Sequence, residues 1–207
     1  SMQTLKDRFA FFSSRRLLVL LAFVLAVTVW APQLLYWKSA TGSWLYYSYN
    51  NEGFFFLNPH ILDGLLSYRK GWLLYSPVMF IPLAGIALLA VKKKFAWFWP
   101  LAIFMLVNIY IIFSWWSWWY GGGLGARPLI ESYAFLSLPF CYALQWMDQK
   151  TGRQLIGYAV ILILTAYGLF VNFQYRYGAI HWDAMTQDAY RDSFLRLTPS
   201  DRFHNLL

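Results

Sequence analysis

An all-α integral membrane protein with about five transmembrane helices is the fold class this sequence predicts, and three observations predict it. First, 59% of the 207 residues are hydrophobic and 22% aromatic, while only 13% are charged. An ordinary soluble domain is about 25% charged. A soluble domain of this size has too much surface to cover with so few charges. Disorder is excluded on the same figures, because disordered chains are poor in aromatics and rich in charge. Second, five stretches reach the roughly 20 apolar residues that a helix needs to cross a bilayer. Third, the basic residues gather at the ends of those stretches, as membrane topology requires.

The five expected spans are 17–37, 72–91, 95–116, 128–147 and 155–175. Pro77 and Pro82 in the second and Pro139 in the fourth predict kinks, which membrane helices tolerate when neighbours satisfy the freed carbonyls. Lys6, Arg8, Arg15 and Arg16 precede the first span. Lys92, Lys93 and Lys94 separate the second from the third, and Lys150 and Arg153 the fourth from the fifth. If all five helices cross, these three segments share one side, and the positive-inside rule makes it the cytoplasm. The expected topology is N-terminus in and C-terminus out. It gives a basic cytoplasmic segment (1–16), a five-span domain (17–175) with outer loops 38–71 and 114–127, and an outer-face tail (176–207). The first apolar run, 21 residues long, exceeds the roughly 7–15 of a cleaved signal, and no A-x-A site follows it. It is expected to stay as a helix. Ser1 ahead of Met2 reads as an added residue, and the chain reads as a piece of something longer.

The net charge of +8 comes from 17 basic and 9 acidic residues. With no separate basic domain, nucleic acid is set aside as a partner, and the lipid bilayer takes its place. One cysteine, Cys141, gives neither an intrachain disulfide nor a metal-site spacing. Inside an apolar run it is expected to be a small buried hydrophobe. No metal and no cofactor is expected.

The first outer loop, 38–71, contains Asn50-Asn51-Glu52-Gly53 and then Phe54-Phe55-Phe56-Leu57. A following stretch, 60–68, places Ile61, Leu62, Leu65 and Leu66 at helical spacing but is too short to span. It predicts an interfacial helix on the outer leaflet, begun by Asn58-Pro59. The tail mixes Asp183, Asp188, Asp192 and Asp201 with Arg176, Arg191, Arg196 and Arg202. It predicts a small soluble helical segment with a break and a new start at Thr198-Pro199-Ser200-Asp201.

The second outer loop carries the densest candidate chemistry: SWWSWWYGGGLGAR at 114–127. Trp119 and Tyr120 with their aromatic neighbours suit an interfacial belt. Gly121, Gly122, Gly123 and Gly125 allow positive φ and close approach of a ligand, and successive amides there can form an anion-binding nest. Arg127 follows at once, and Pro128 suits the first turn of the next helix. The combination predicts a phosphate site; its bland counterpart is a flexible turn with a snorkelling arginine. Glu131 either pairs with Arg127 four residues earlier or faces a polar cleft. Tyr68-Arg69-Lys70 puts two cations on the side opposite to the basic segments. They read as headgroup contacts or as a second clamp on the same phosphate. Asp63, Glu52 and His60 complete the outer polar set, with no partner fixed by spacing. No G-x-S-x-G, H-E-x-x-H or Walker A pattern occurs, so no catalytic residue is assigned.

The string WWSWWYGGGLGARPLIESYAFLSLP (115–139), with PQLLYWKSATGSWLYYSY (32–49) and NPHILDGLLSYRKGWLLYSP (58–77), resembles bacterial multi-pass glycosyltransferases. They are similar to the dolichyl-phosphate-mannose–protein mannosyltransferases, a family 39-like group of GT-C fold. The resemblance covers roughly residues 30–145. It implies transfer of a sugar from a polyprenyl-phosphate carrier, with inversion, on the outer face of the bacterial cytoplasmic (inner) membrane. The family's catalytic acid lies in its first outer loop. This chain lacks the acidic pair expected there and has half the spans, so it resembles the C-terminal half alone. The implied partners are a polyprenyl-phosphate-linked sugar and either the missing N-terminal half or another membrane subunit. Arg127 and the glycines would then serve the carrier phosphate. Two other readings stand beside this one. The first is a non-enzymatic scaffold or lipid-binding subunit. The second is a transporter or flippase subunit, suggested by Asn108 and Asn172 within expected spans.

Overall fold

The computed structural model describes residues 5–49 and 51–207. The Ser1-Met2 start and the Asn50 position of the expected turn lie outside the described residues. The chain forms two compact units, Ser1–Glu52 and Gly53–Leu207. All regular structure among the described residues is helical. Three helices are long and apolar enough to cross a membrane: Arg16–Thr41, Phe95–Phe113 and Thr151–Arg176.

The first unit holds α1 (Leu5–Ser14) and α2 (Arg16–Thr41). Gly42 ends α2 in the left-handed region at φ 77°, where glycine carries no Cβ penalty, and its amide donates to the Lys38 carbonyl at 3.1 Å. Lys38 Nζ donates to the Gly42 carbonyl at 2.7 Å, placing a cation on the carbonyl-rich helix end. No residue of α2 is fully buried, though Ala31, Leu34 and Trp37 are half-buried.

In the second unit the expected span 72–91 is not one helix. It breaks into α4 (Trp72–Tyr75), a 3-10 turn (Pro77–Met79) and α5 (Phe80–Val91). The break falls at Ser76, φ −132° and ψ 60°, because Pro77 offers no N–H and forces the preceding residue out of helical geometry. The expected span 128–147 likewise divides into a 3-10 turn (Arg127–Ser132) and α7 (Tyr133–Asp148). Thus three of the five expected spans appear as single long helices: α2, α6 (Phe95–Phe113) and α8 (Thr151–Arg176).

Short helices α5 and α7 pack closely. A Cβ on Gly85 would run into the Pro139 backbone, so glycine there lets the two backbones meet, the usual means of packing helices where lipid supplies no hydrophobic drive. Phe104 of α6 stacks on Phe135 of α7 at 4.2 Å between centroids. Asn108 Nδ2 donates to Ser132 Oγ at 2.6 Å, tying α6 to the turn before α7. Trp72, Leu101, Met105, Phe113, Leu129 and Leu136 fill the core.

The helix expected within 60–68 is α3 (Ile61–Leu66), beginning two residues after Pro59. Ile61 and Leu65 pack on the core, while Leu62 and Leu66 are exposed. A Cβ on Gly64 would collide with the Phe113 ring. His60 and Asp63, for which the spacing fixed no partner, pair with each other at 3.0 Å. The tail is not a separate soluble piece. Ile180, Met185, Ala189 and Phe203 form a second core with Tyr75 and Val171. It carries α9 (Gln187–Ser193), capped by the Thr186 hydroxyl accepting from the Ala189 amide at 3.1 Å. At the end of α8, Gln174 Nε2 donates to the carbonyls of Ser193 (2.8 Å) and Arg196 (2.7 Å). Cys141 is exposed rather than buried, because it lies on the outer face of α7.

Candidate functional site

The glycine loop is tied down by the tail, through Lys70. That side chain is 1% exposed, and its Nζ donates to the carbonyls of Gly123 and Trp182, each at 2.6 Å. The Gly123 amide donates in turn to the Trp182 carbonyl at 3.1 Å. A buried ammonium is tolerable only with such acceptors. Burial is the largest influence on this amine. It outweighs the attraction of Asp183 and is helped by repulsion from Arg69 and Arg127, lowering the Lys70 pKa to about 8. At Gly123, therefore, the loop presents its carbonyl to a cation, and its amide is already engaged. The anion nest expected of the glycines does not include that residue.

Arg69 is held as firmly. Its Nε donates to the Asp183 carbonyl at 3.0 Å, its Nη2 lies 3.5 Å from both Asp183 carboxylate oxygens, and its guanidinium sits 3.9 Å above the Trp119 ring. Tyr68 packs on Tyr190 at 5.1 Å, and its carbonyl accepts from the Tyr75 hydroxyl. His181 Nδ1 accepts from the amides of Asp183 (3.1 Å) and Ala184 (2.8 Å). Partial burial lowers its pKa, and the two incoming N–H groups require that nitrogen to be unprotonated.

Loop conformation depends on two positions above all. Gly125 (φ 58°) lies so close to Tyr75 that a Cβ would come within 3.2 Å of it. Tyr120 adopts φ 53° without being glycine, a conformation that costs about 1–2 kcal/mol. Its hydroxyl donates to the Ile112 carbonyl at 2.8 Å, and burial pushes the phenol up to about 12. Gly121 has φ 64° in open space, and Gly122 abuts the Trp182 ring.

Arg127 differs from the other two cations. It is exposed, and among the described residues its side chain makes one hydrogen bond, a long Nη2 approach to the Tyr120 carbonyl at 3.5 Å. Glu131 is also exposed and forms no ion pair with it; the ion pairs among the described residues are His60–Asp63, Arg69–Asp183 and Arg202–Asp192. Arg127 lines a cavity of about 380 Å³ together with Trp72, Tyr75, Tyr133, Ser76 and Asn172. Trp72 Nε1 donates to the Tyr133 hydroxyl at 3.1 Å, fixing two of the aromatic walls. Asn172 Nδ2 is turned to the Gly168 carbonyl at 2.8 Å. The cavity thus offers aromatic walls, a few polar atoms and one guanidinium, beside a cluster of two cations, Arg69 and Lys70, near Asp183. Its lining includes no carboxylate and no imidazole. Such a site can bind an anion carrying an apolar or ring-shaped group; it has no general base of its own.

The sequence pointed to Arg127, Arg69 and Lys70, and the structure brings them to one end of the bundle, where only Arg127 is uncommitted. It did not point to Trp182, Asp183 or His181, which organise the other two from more than 110 positions away. The charge of Asp183 beside aromatic Trp182 was the available signal. No known family model, curated protein or solved structure matches the chain.

Proposed function

We propose that this chain is the membrane-embedded half of a glycosyltransferase that uses a polyprenyl-phosphate-linked sugar on the outer face of the bacterial cytoplasmic membrane. The observation that carries the reading is the uncommitted Arg127 guanidinium on an aromatic-walled cavity of about 380 Å³. A phosphate on Arg127 gains charge-assisted, bidentate hydrogen bonds, while the more accessible lining residues Leu124, Ile130 and Tyr133 offer apolar contact to a sugar ring or the first isoprene unit. Arg69 and Lys70 add to the positive field without touching the phosphate, since their donors are already engaged. In this reading all five apolar stretches cross the bilayer, N-terminus in, with α5 and α7 as short crossings flanked by their 3-10 turns. The cavity lining supplies no carboxylate or imidazole as a base, which suits a chain that acts with a missing N-terminal half.

The test is direct. Arg127→Ala weakens binding of a polyprenyl phosphate about tenfold or more, the worth of one hydrogen bond to a charged group. Arg153→Ala, with its guanidinium stacked on Trp146, leaves binding unchanged. Equal effects contradict the reading. A second reading, a non-enzymatic scaffold or lipid-binding subunit, draws on α2, where none of the residues is buried. It predicts a stable complex with another membrane protein and no affinity for the sugar carrier.

A further inference from the structure

A second recess opens at the other end of the bundle. It has a volume of about 500 Å³ and lies between α5, α6 and α7. Leu89 and Leu101 form a buried floor, 4% and 5% exposed, while Trp97 and Leu138 form open walls, 59% and 53% exposed. Lys94, Tyr142 and Gln145 add polar atoms to this otherwise apolar groove.

The turn that presents Lys94 has an unusual composition. The Lys94 amide donates to the Leu89 carbonyl at 2.8 Å, and the Lys93 amide to the Ala90 carbonyl at 2.9 Å. This is the Schellman pattern, with Lys93 at the left-handed position, φ 55°. Glycine is the low-energy residue there, and a side chain costs about 1 kcal/mol. The motif also brings the residue after that position towards the last helical turn, here Lys94 and Leu89, both of which line the groove. Lys92, Lys93 and Lys94 are all exposed, and none forms an ion pair among the described residues. The same end carries Lys150 and Arg153. Asp148, nearby on α7, accepts from the Tyr158 hydroxyl at 3.1 Å. Among the described residues the charge here is strongly positive, and no ion pair compensates the lysines. The 19 residues of α6 give a rise of about 28 Å, close to the hydrocarbon thickness of roughly 30 Å. If α6 crosses the bilayer, Lys94 at its start lies at phosphate depth.

We propose that this groove seats an anionic phospholipid. Its phosphate lies on Lys94, with the Gln145 amide and Tyr142 hydroxyl as further donors, and one acyl chain lies against Leu89, Leu101 and Leu138. A zwitterionic lipid fits the apolar floor equally well but brings a choline or ethanolamine cation into an already cationic end. The seat is therefore selective for net negative headgroups. It does not depend on the carrier reading of the Arg127 cavity.

The full chain, reconstituted in vesicles of equal phosphatidylcholine and phosphatidylglycerol, is released into mild detergent, and retained lipid is counted by native mass spectrometry. Phosphatidylglycerol is retained over phosphatidylcholine by about fivefold, the worth of one lysine near an anionic headgroup. Lys94→Gln abolishes that preference, Lys93→Gln keeps it, and Leu138→Trp, which fills the groove from an exposed position, removes the retained lipid. Arg127→Ala leaves the ratio untouched, separating this site from the carrier cavity. Retention without headgroup preference, equal losses in Lys93→Gln and Lys94→Gln, or no effect of Leu138→Trp would each overturn the proposal.

Discussion

The two ends of the helical bundle both carry consecutive basic residues, and they use them in opposite ways. At the glycine-loop end Arg69 and Lys70 are turned inward. Lys70 is sealed on two backbone carbonyls, and Arg69 is clamped between Asp183 and Trp119. At the other end Lys92, Lys93 and Lys94 face outward on a strained turn, with no carboxylate partner among the described residues. The difference lies in what the chain supplies nearby. Long-range packing brings the 181–183 segment over the first pair, and among the described residues no side chain forms an ion pair with the second. Cations that hold a fold together are spent inside it, whereas cations that meet ligands are left over.

That contrast gives its largest effect at Lys70. Lys70→Met keeps the volume but leaves the Gly123 and Trp182 carbonyls without their donor, and it costs about 3 kcal/mol. Denaturation in detergent reads this as a lower midpoint, with the 120–127 loop becoming protease-sensitive. A cost near zero would mean that the loop is held by its aromatic neighbours and not by the ammonium.

A pH series sharpens the same point. The Lys70 pKa is about 8 in the folded protein against an ordinary 10.5, so between those values the unfolded chain binds more protons. Its contribution to stability is full above pH 10.5 and is lost as pH falls through about 8. The stability difference between wild type and Lys70→Met therefore grows from pH 8 to pH 10. Tyr120, whose phenol is pushed up to about 12, acts in the opposite sense above pH 10, but equally in both proteins. A flat difference would place the Lys70 pKa at its ordinary value.

The smallest effect belongs to the other end and has the opposite sign. Lys93→Gly relieves the left-handed backbone and stabilises by about 1 kcal/mol, read as a higher midpoint in the same denaturation. Destabilisation would mean that the lysine side chain contributes more than its backbone costs.

Sequence reading recovered what continuous apolar runs determine. Spans expected at 17–37, 95–116 and 155–175 correspond to Arg16–Thr41, Phe95–Phe113 and Thr151–Arg176. It failed where a proline sits after a few apolar residues. Hydropathy sees 72–91 as one run, but Pro77 cannot donate, and the helix breaks at Ser76. It also missed the burial of the tail, because Ile180, Met185 and Phe203 are too sparse to show a periodic face; they become a core only when Tyr75 and Val171 meet them. Within the site, Arg127 was legible from its glycine-rich neighbourhood. The fate of Lys70 was not, since its acceptors are backbone carbonyls 53 and 112 residues away, and no side-chain pattern encodes them.

The account's central claim is that the Arg127 cavity, and not the lysine groove, receives the carrier phosphate. A polyprenyl phosphate bearing a photoreactive group on its first isoprene unit, activated in vesicles containing the full chain and mapped by peptide mass spectrometry, tests this most directly. The account predicts adducts on Leu124, Ile130 and Tyr133, which line the cavity, and their loss in Arg127→Ala. Adducts concentrated on Leu138, Tyr142 and Gln145 of the opposite groove, or labelling indifferent to Arg127, would contradict it.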